Sequence, residues 1–158
     1  MRPTLLIEAA MVNPTGKVDR LNAIVSNDEL NNEWVQLRNT GNTAVDLAGI
    51  SLLHLTYTQG ANPQQTLVMQ LTGALPGLAG LRLHSGRGTP YHDEQLNIYH
   101  GFVNPKRLAF LFQIVRPDKL ILSHRGRTID MAGYDVPVPV NKRLKRVAPQ
   151  ESHLLQPL

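Results

Sequence analysis

The apolar residues of this chain come in short runs, each closed by Gly, Pro, Asn or Asp. A stable helix needs apolar positions recurring every three or four residues over a dozen or more, and such windows are hard to find here. The runs fall at residues 5–10, 33–39, 50–56, 66–71, 80–84, 96–99, 107–113, 119–123 and 128–133. After the first gap they recur roughly every 10–17 residues, close to the rhythm of a β-sandwich or barrel. Several alternate with period two. Leu81 with Leu83, Leu108 with Phe110 and Phe112, Leu120 with Leu122, and Ile129 with Met131 each share a face. Alternation of this kind buries one face of a strand, so these faces are expected to form a core between two sheets.

Turn chemistry agrees. Asn39-Thr40-Gly41-Asn42 supplies residues that tolerate positive φ, and Leu75-Pro76-Gly77 reads as a turn with Pro fixing φ and Gly relaxing the next position. His124-Arg125-Gly126-Arg127 reads as the link of a hairpin. Residues 11–32 form a long polar connection in which 21–25 suit a helical turn. After Tyr134 the character changes. Val136-Pro137-Val138-Pro139 suits an extended, polyproline-like stretch, and Asn141-Lys142-Arg143-Leu144-Lys145-Arg146 adds four cations. The expected organisation is therefore a sandwich of about 8–9 strands over residues 1–135 and a Pro/basic arm over 136–158, with all core residues before Asp135.

Motifs quoted in chain order resemble a known family. Ile7-Glu8, then Glu33-Trp34-Val35-Gln36-Leu37-Arg38-Asn39-Thr40-Gly41, then Val45-Asp46-Leu47-Ala48-Gly49-Ile50-Ser51-Leu52 lead to the Leu75-Pro76-Gly77 turn. Gly126-Arg127-Thr128-Ile129-Asp130 and Tyr134 close the series. The order and spacing resemble the lamin tail domain over about residues 5–135. Ile50 stands where that family usually has tryptophan. The resemblance implies an immunoglobulin-like β-sandwich, and it implies an interaction or accessory module rather than an activity.

The chemistry-bearing residues point the same way. With no cysteine, the chain has no disulfide, no thiolate metal ligand and no thiol nucleophile. The only Gly-Lys pair, Gly16-Lys17, is followed by Val18, so no phosphate-cradling Walker loop is present. The densest polar cluster runs from His84 through Ser85, Arg87, His92, Asp93 and Glu94 to Tyr99 and His100. Ser85, His92 and Asp93 make a triad on paper only, since adjacent strand residues point to opposite faces. No enzyme activity, catalytic residue, metal site or cofactor is expected.

Charge is uneven. Residues 1–79 hold four bases and six acids, whereas 80–158 hold twelve bases and six acids. A basic half suits an acidic partner. The expected role is a structural, non-enzymatic module that binds other protein subunits of an assembly. Its expected contacts are Lys142, Arg143, Leu144, Lys145 and Arg146 on the arm, and Trp34. Trp34 lies on the outer face if Val35 and Leu37 point inward, or in the core if they do not. The alternative is a basic accessory domain binding nucleic-acid phosphates through Arg82, Arg87, Lys106, Arg107, Arg125 and Arg127. Aromatics are only 5% of the chain, few for base stacking. No apolar run approaches a membrane span, and Glu8 interrupts any signal-peptide core, so a cytoplasmic location is expected.

Overall fold

The computed structural model describes residues 4–18, 25–56, 64–105, 110–112, 118–146 and 153–157. It is an all-β sandwich of two main sheets and a small ribbon. The first sheet contains β1 (Leu5–Met11), β2 (Trp34–Asn39), β7 (Gly80–His84), β8 (Tyr91–Asp93), β9 (Ile98–Phe102), β12 (Leu144–Arg146) and β13 (Leu155–Pro157). Their spatial order is β13-β12-β1-β2-β7-β9-β8. The second contains β4 (Ile50–Thr56), β5 (Gln64–Gln70), β10 (Asp118–His124) and β11 (Arg127–Tyr134), in the order β11-β10-β4-β5. β3 (Val45–Asp46) and β6 (Ala74–Leu75) form the ribbon. One helical turn, α1 (Asn27–Leu30), is capped by Ser26, whose Oγ accepts from the Glu29 amide at 3.2 Å.

The core forms where the two inner faces meet. Ile7, Val35, Leu37 and Leu83 from the first sheet meet Leu52, Leu120, Leu122 and Ala132 from the second. The Arg125-Gly126 turn joins β10 to β11 with both central residues at positive φ (51° and 85°), the geometry that matches the twist of a two-residue hairpin. Gly77 has a different reason from the one expected. Its φ is not positive; a Cβ there would lie 2.4 Å from the Asn42 backbone, and the positive φ (65°) falls on Leu78.

Four expectations are corrected. The described residues hold thirteen strands rather than 8–9, because β3, β6, β8, β12 and β13, of two or three residues each, are too short to show a period-two signal. Phe110–Phe112 is not a strand. In β11 the inward residues include Asp130 and Ala132, while Met131 pairs with Ile121 on the outside. The phase is set by Arg146, which meets the Asp130 carboxylate at 2.6 and 2.9 Å inside the sandwich.

The arm is the largest correction. It is not an appendage to a complete 1–135 domain: β12 pairs with β1, and β13 pairs with β12. Val138, Leu144 and Leu155 lie in the core cluster, so core residues do not all precede Asp135. The Asn13 side chain donates to the Val138 carbonyl at 2.8 Å, and Gly133 bridges to Leu154. Burial of these apolar side chains against an otherwise open β1 edge outweighs the chain's preference to stay extended and solvated. The 21–24 part of the expected helical turn lies outside the described residues, and α1 follows it.

Candidate interaction surface

The two lateral sides of the sandwich differ. On one, the Arg146–Asp130 pair, the Ile7 amide donating to Asp130 at 2.8 Å, and the Gly133–Leu154 bridge tie the sheets together. On the other, the second sheet stops at β5, whereas the first continues through β9 and β8. The inner face of those two strands is left facing a groove of about 570 Å³. Leu47, Met69, Leu71, Leu81, Leu83 and Tyr99 supply its apolar wall. His92, also on the wall, stacks on Tyr99 with ring centroids 3.9 Å apart.

The groove adjoins a distinctive sheet edge. A strand edge carries a row of unpaired backbone donors and acceptors, and proteins usually shorten it, charge it or cover it. β8 is three residues long and ends in Asp93; β13 is three residues long and ends in Pro157; β11 is bridged at Gly133. β5 runs for seven residues, Gln-Gln-Thr-Leu-Val-Met-Gln, with no charge and no proline. Leu67 at its centre is 56% exposed. Among the described residues no strand pairs with the outer side of Thr66–Gln70. Among the described residues this edge is long and neutral, and the one guard it carries is a bulge at Val68, where the pairing steps from Leu53–Leu67 to Leu52–Met69.

The sequence-predicted contacts scatter. Trp34 lies on the outer face of β2, since Val35 and Leu37 point inward, yet it is only 8% exposed. Its cover is the chain's own Arg82, whose guanidinium stands 3.9 Å above the ring. On the arm, Leu144 is core and Arg146 is buried against Asp130, so neither is available to a partner in this fold. Lys142 and Lys145 are exposed, and Arg143 is half-buried. Arg87 lies in a loop whose backbone is gripped by the Asn27 and Asn31 side chains. Arg125 and Arg127 belong to the hairpin at the end of the second sheet. Arg82, Arg87, Arg125 and Arg127 thus make no single stripe. Lys106 and Arg107 lie outside the described residues.

The His84–His100 cluster is also dispersed. Ser85 Oγ donates to Glu33 at 2.7 Å, His92 Nε2 faces Asn97 at 3.2 Å, and Asp93 accepts from the Gln95 and Leu96 amides. No three potential metal ligands gather among the described residues. His84 and His100 do meet, with Nε2 and Nδ1 2.9 Å apart. His84 Nδ1 faces the Asn31 carbonyl at 2.8 Å, so it donates there; Nε2 is then the acceptor and His100 Nδ1 the donor. Burial lowers the pKa of both rings, Arg82 adds to the effect on each, and the pair runs as neutral imidazoles near neutrality.

Sequence reasoning missed a buried ionic centre. Lys17 and Glu33 are both wholly buried and form an ion pair. The Lys17 ammonium also donates to the Val12 and Phe112 carbonyls, each at 2.7 Å, so its three donors meet three acceptors. Glu33 further accepts from Ser85 and, at 2.6 Å, from the Leu111 amide. Burial pulls Lys17 down and pushes Glu33 up, and each partner's charge opposes the shift. Nearby, His54 Nε2 lies 2.5 Å from Asp118 but is not aligned for a hydrogen bond, and Tyr134 reaches the same carboxylate at 3.5 Å. Burial raises Tyr134, with Asp118 adding to it. None of these side chains lines the groove, and their chemistry is to pin residues 12–17 and 110–112 to the sandwich. The only local signal was Glu33 beside a strand of apolar residues. Its partner lies sixteen residues away in a polar connection.

No family model matches this chain, and no curated protein matches it.

Proposed function

We propose that the chain is a non-enzymatic interaction module that takes up an extended segment of another protein as an added strand on β5. The observation carrying this reading is the lateral side where, among the described residues, the uncharged stretch Thr66–Gln70 has no outer neighbour and borders the groove. An added strand would satisfy the outer backbone groups of β5. Its alternate side chains would enter the groove over Tyr99 and Leu81, the division of labour between backbone and pockets found in strand addition. The motifs resembling the lamin tail domain support a module of this kind.

The test uses an uncharged, end-blocked heptapeptide alternating Val and Thr, added to isotope-labelled protein. Amide shifts centred on Thr66–Gln70, Tyr99 and His92, and lost in Leu67→Lys, are expected. Leu67 is largely exposed, so that variant charges the edge without disturbing the core. No shifts, or shifts that survive the substitution, would defeat the reading.

A further inference from the structure

The outer face of the first sheet, on the far side from the groove, carries a second feature. Pairing aligns Gln36 with Arg82, and Met11 with Trp34 and His84. β12 borders β1 there, with Ala9 opposite Lys145. Alternation along β12 sends Arg143 to the same face as Lys145, since Leu144 and Arg146 point inward.

The charges on this face are unequally satisfied. Glu8 Oε2 accepts from Arg38 Nε at 3.1 Å and from Gln36 Nε2 at 2.9 Å. Gln36 then turns its Oε1 to Arg82 Nε, also at 2.9 Å. That relay fixes the Arg82 guanidinium over Trp34 and occupies only one of its nitrogens. Arg143 fares worse. Its Nε is buried and has no hydrogen-bond acceptor, and among the described residues no carboxylate pairs with it. A buried guanidinium donor without an acceptor costs free energy, and native structures seldom leave one so. The register that sets Lys145 opposite Ala9 and Leu144 opposite Ala10 brings Arg143 level with Met11, whose other neighbour is Trp34 beneath the Arg82 guanidinium, and the Arg143 charge adds to burial in pressing Arg82 below its usual pKa. Asp93 and Glu8 also act on Arg82, but neither forms an ion pair with it among the described residues.

We propose that Arg82 and Arg143, with Lys145 beside them, form an oxyanion site whose ligand is a dianionic phosphate group. Two guanidiniums that form no ion pair among the described residues match one dianion, and their planar forks suit tetrahedral phosphate oxygens. A single carboxylate would leave one positive charge unbalanced. The site is independent of β5: it uses the opposite face of the first sheet and different strands.

Trp34 is the only tryptophan and lies directly beneath Arg82, so its emission reports on the site. The experiment titrates the full chain with inorganic phosphate, phenyl phosphate and acetate at mildly alkaline pH, with chloride holding ionic strength constant. A saturable change in Trp34 emission with phosphate is expected. Its apparent Kd should weaken at least about ten-fold in Arg143→Gln and by less in Arg143→Lys, which keeps the charge but not the fork. Arg143 makes no internal hydrogen bond among the described residues, so both variants should fold; matched circular dichroism and urea midpoints check this. Equal binding of phenyl phosphate assigns the site to phosphate carried on a larger molecule, whereas binding of inorganic phosphate alone assigns it to the free ion. No saturable change, an unchanged Kd in Arg143→Gln, or acetate binding as tightly as phosphate would each overturn the proposal.

Discussion

Arg146→Met tests whether the C-terminal segment is part of the folded core. Arg146 is 4% exposed and Asp130 8%. One guanidinium nitrogen donates to Asp130 at 2.6 Å and to the Ile7 carbonyl at 2.9 Å; the other donates to Asp130 and to the Met131 carbonyl, both at 2.9 Å. Methionine keeps much of the length and apolar contact but leaves Asp130 charged and buried, supported only by the Ile7 amide. Removing one partner of a buried pair costs about 3–5 kcal/mol. For a chain of this size that lowers Tm by roughly 6–20 °C. The double variant Arg146→Met/Asp130→Leu removes the stranded charge. It orphans the Ile7 amide instead, at about 1–3 kcal/mol. The double variant should therefore be no less stable than Arg146→Met alone, a strong departure from additivity. Urea titration of the four proteins measures this, with slopes compared to check two-state behaviour. A loss below about 1 kcal/mol in Arg146→Met, or additive losses in the double variant, would refute the reasoning.

The remaining expectations concern the same segment and the imidazole pair. Leu144→Ala should cost about 2–5 kcal/mol, measured by urea unfolding, since Leu144 is 1% exposed within the core cluster. Deleting residues 136–158 should abolish cooperative unfolding or greatly lower its midpoint, because Val138, Leu144, Leu155 and Arg146 leave together; a truncated chain as stable as the full one would show that the segment does not dock. His84 and His100 have folded pKa values below their unfolded value of about 6.5, so the unfolded chain binds protons first. Stability from the pair is present above that value and is lost as pH falls from it through the lowered folded pKa values. The double variant His84→Gln/His100→Gln should show a flatter dependence of the urea midpoint across this window, and an unchanged slope would argue against the neutral pair. Arg82 acts on both rings and Asp93 on His100, and neither side chain is altered in the comparison.

The sequence by itself determined the fold class and most of the long strands. Period-two alternation at Val35/Leu37 and Leu120/Leu122 is a local property, because the pleat fixes which side chains share a face, and it placed β2 and β10 correctly. The Arg125-Gly126 hairpin was legible for the same reason: a two-residue loop demands positive φ. The tertiary structure decided everything that depends on a distant partner. Asp130 reads as a solvent residue until Arg146 meets it, and Lys17 reads as a loop cation until it meets Glu33. The segment after Asp135 is Pro-rich and basic, a composition suited to a solvated arm, yet its Val138, Leu144 and Leu155 become core because the β1 edge is open to receive β12. The β5 edge, without an outer neighbour at Thr66–Gln70, and Arg143, without a paired carboxylate among the described residues, were equally hidden. A strand's sequence does not say whether a neighbour will cover its edge, and a cation's does not say whether a carboxylate will reach it. Both are settled only when the two sheets stack and one extends past the other.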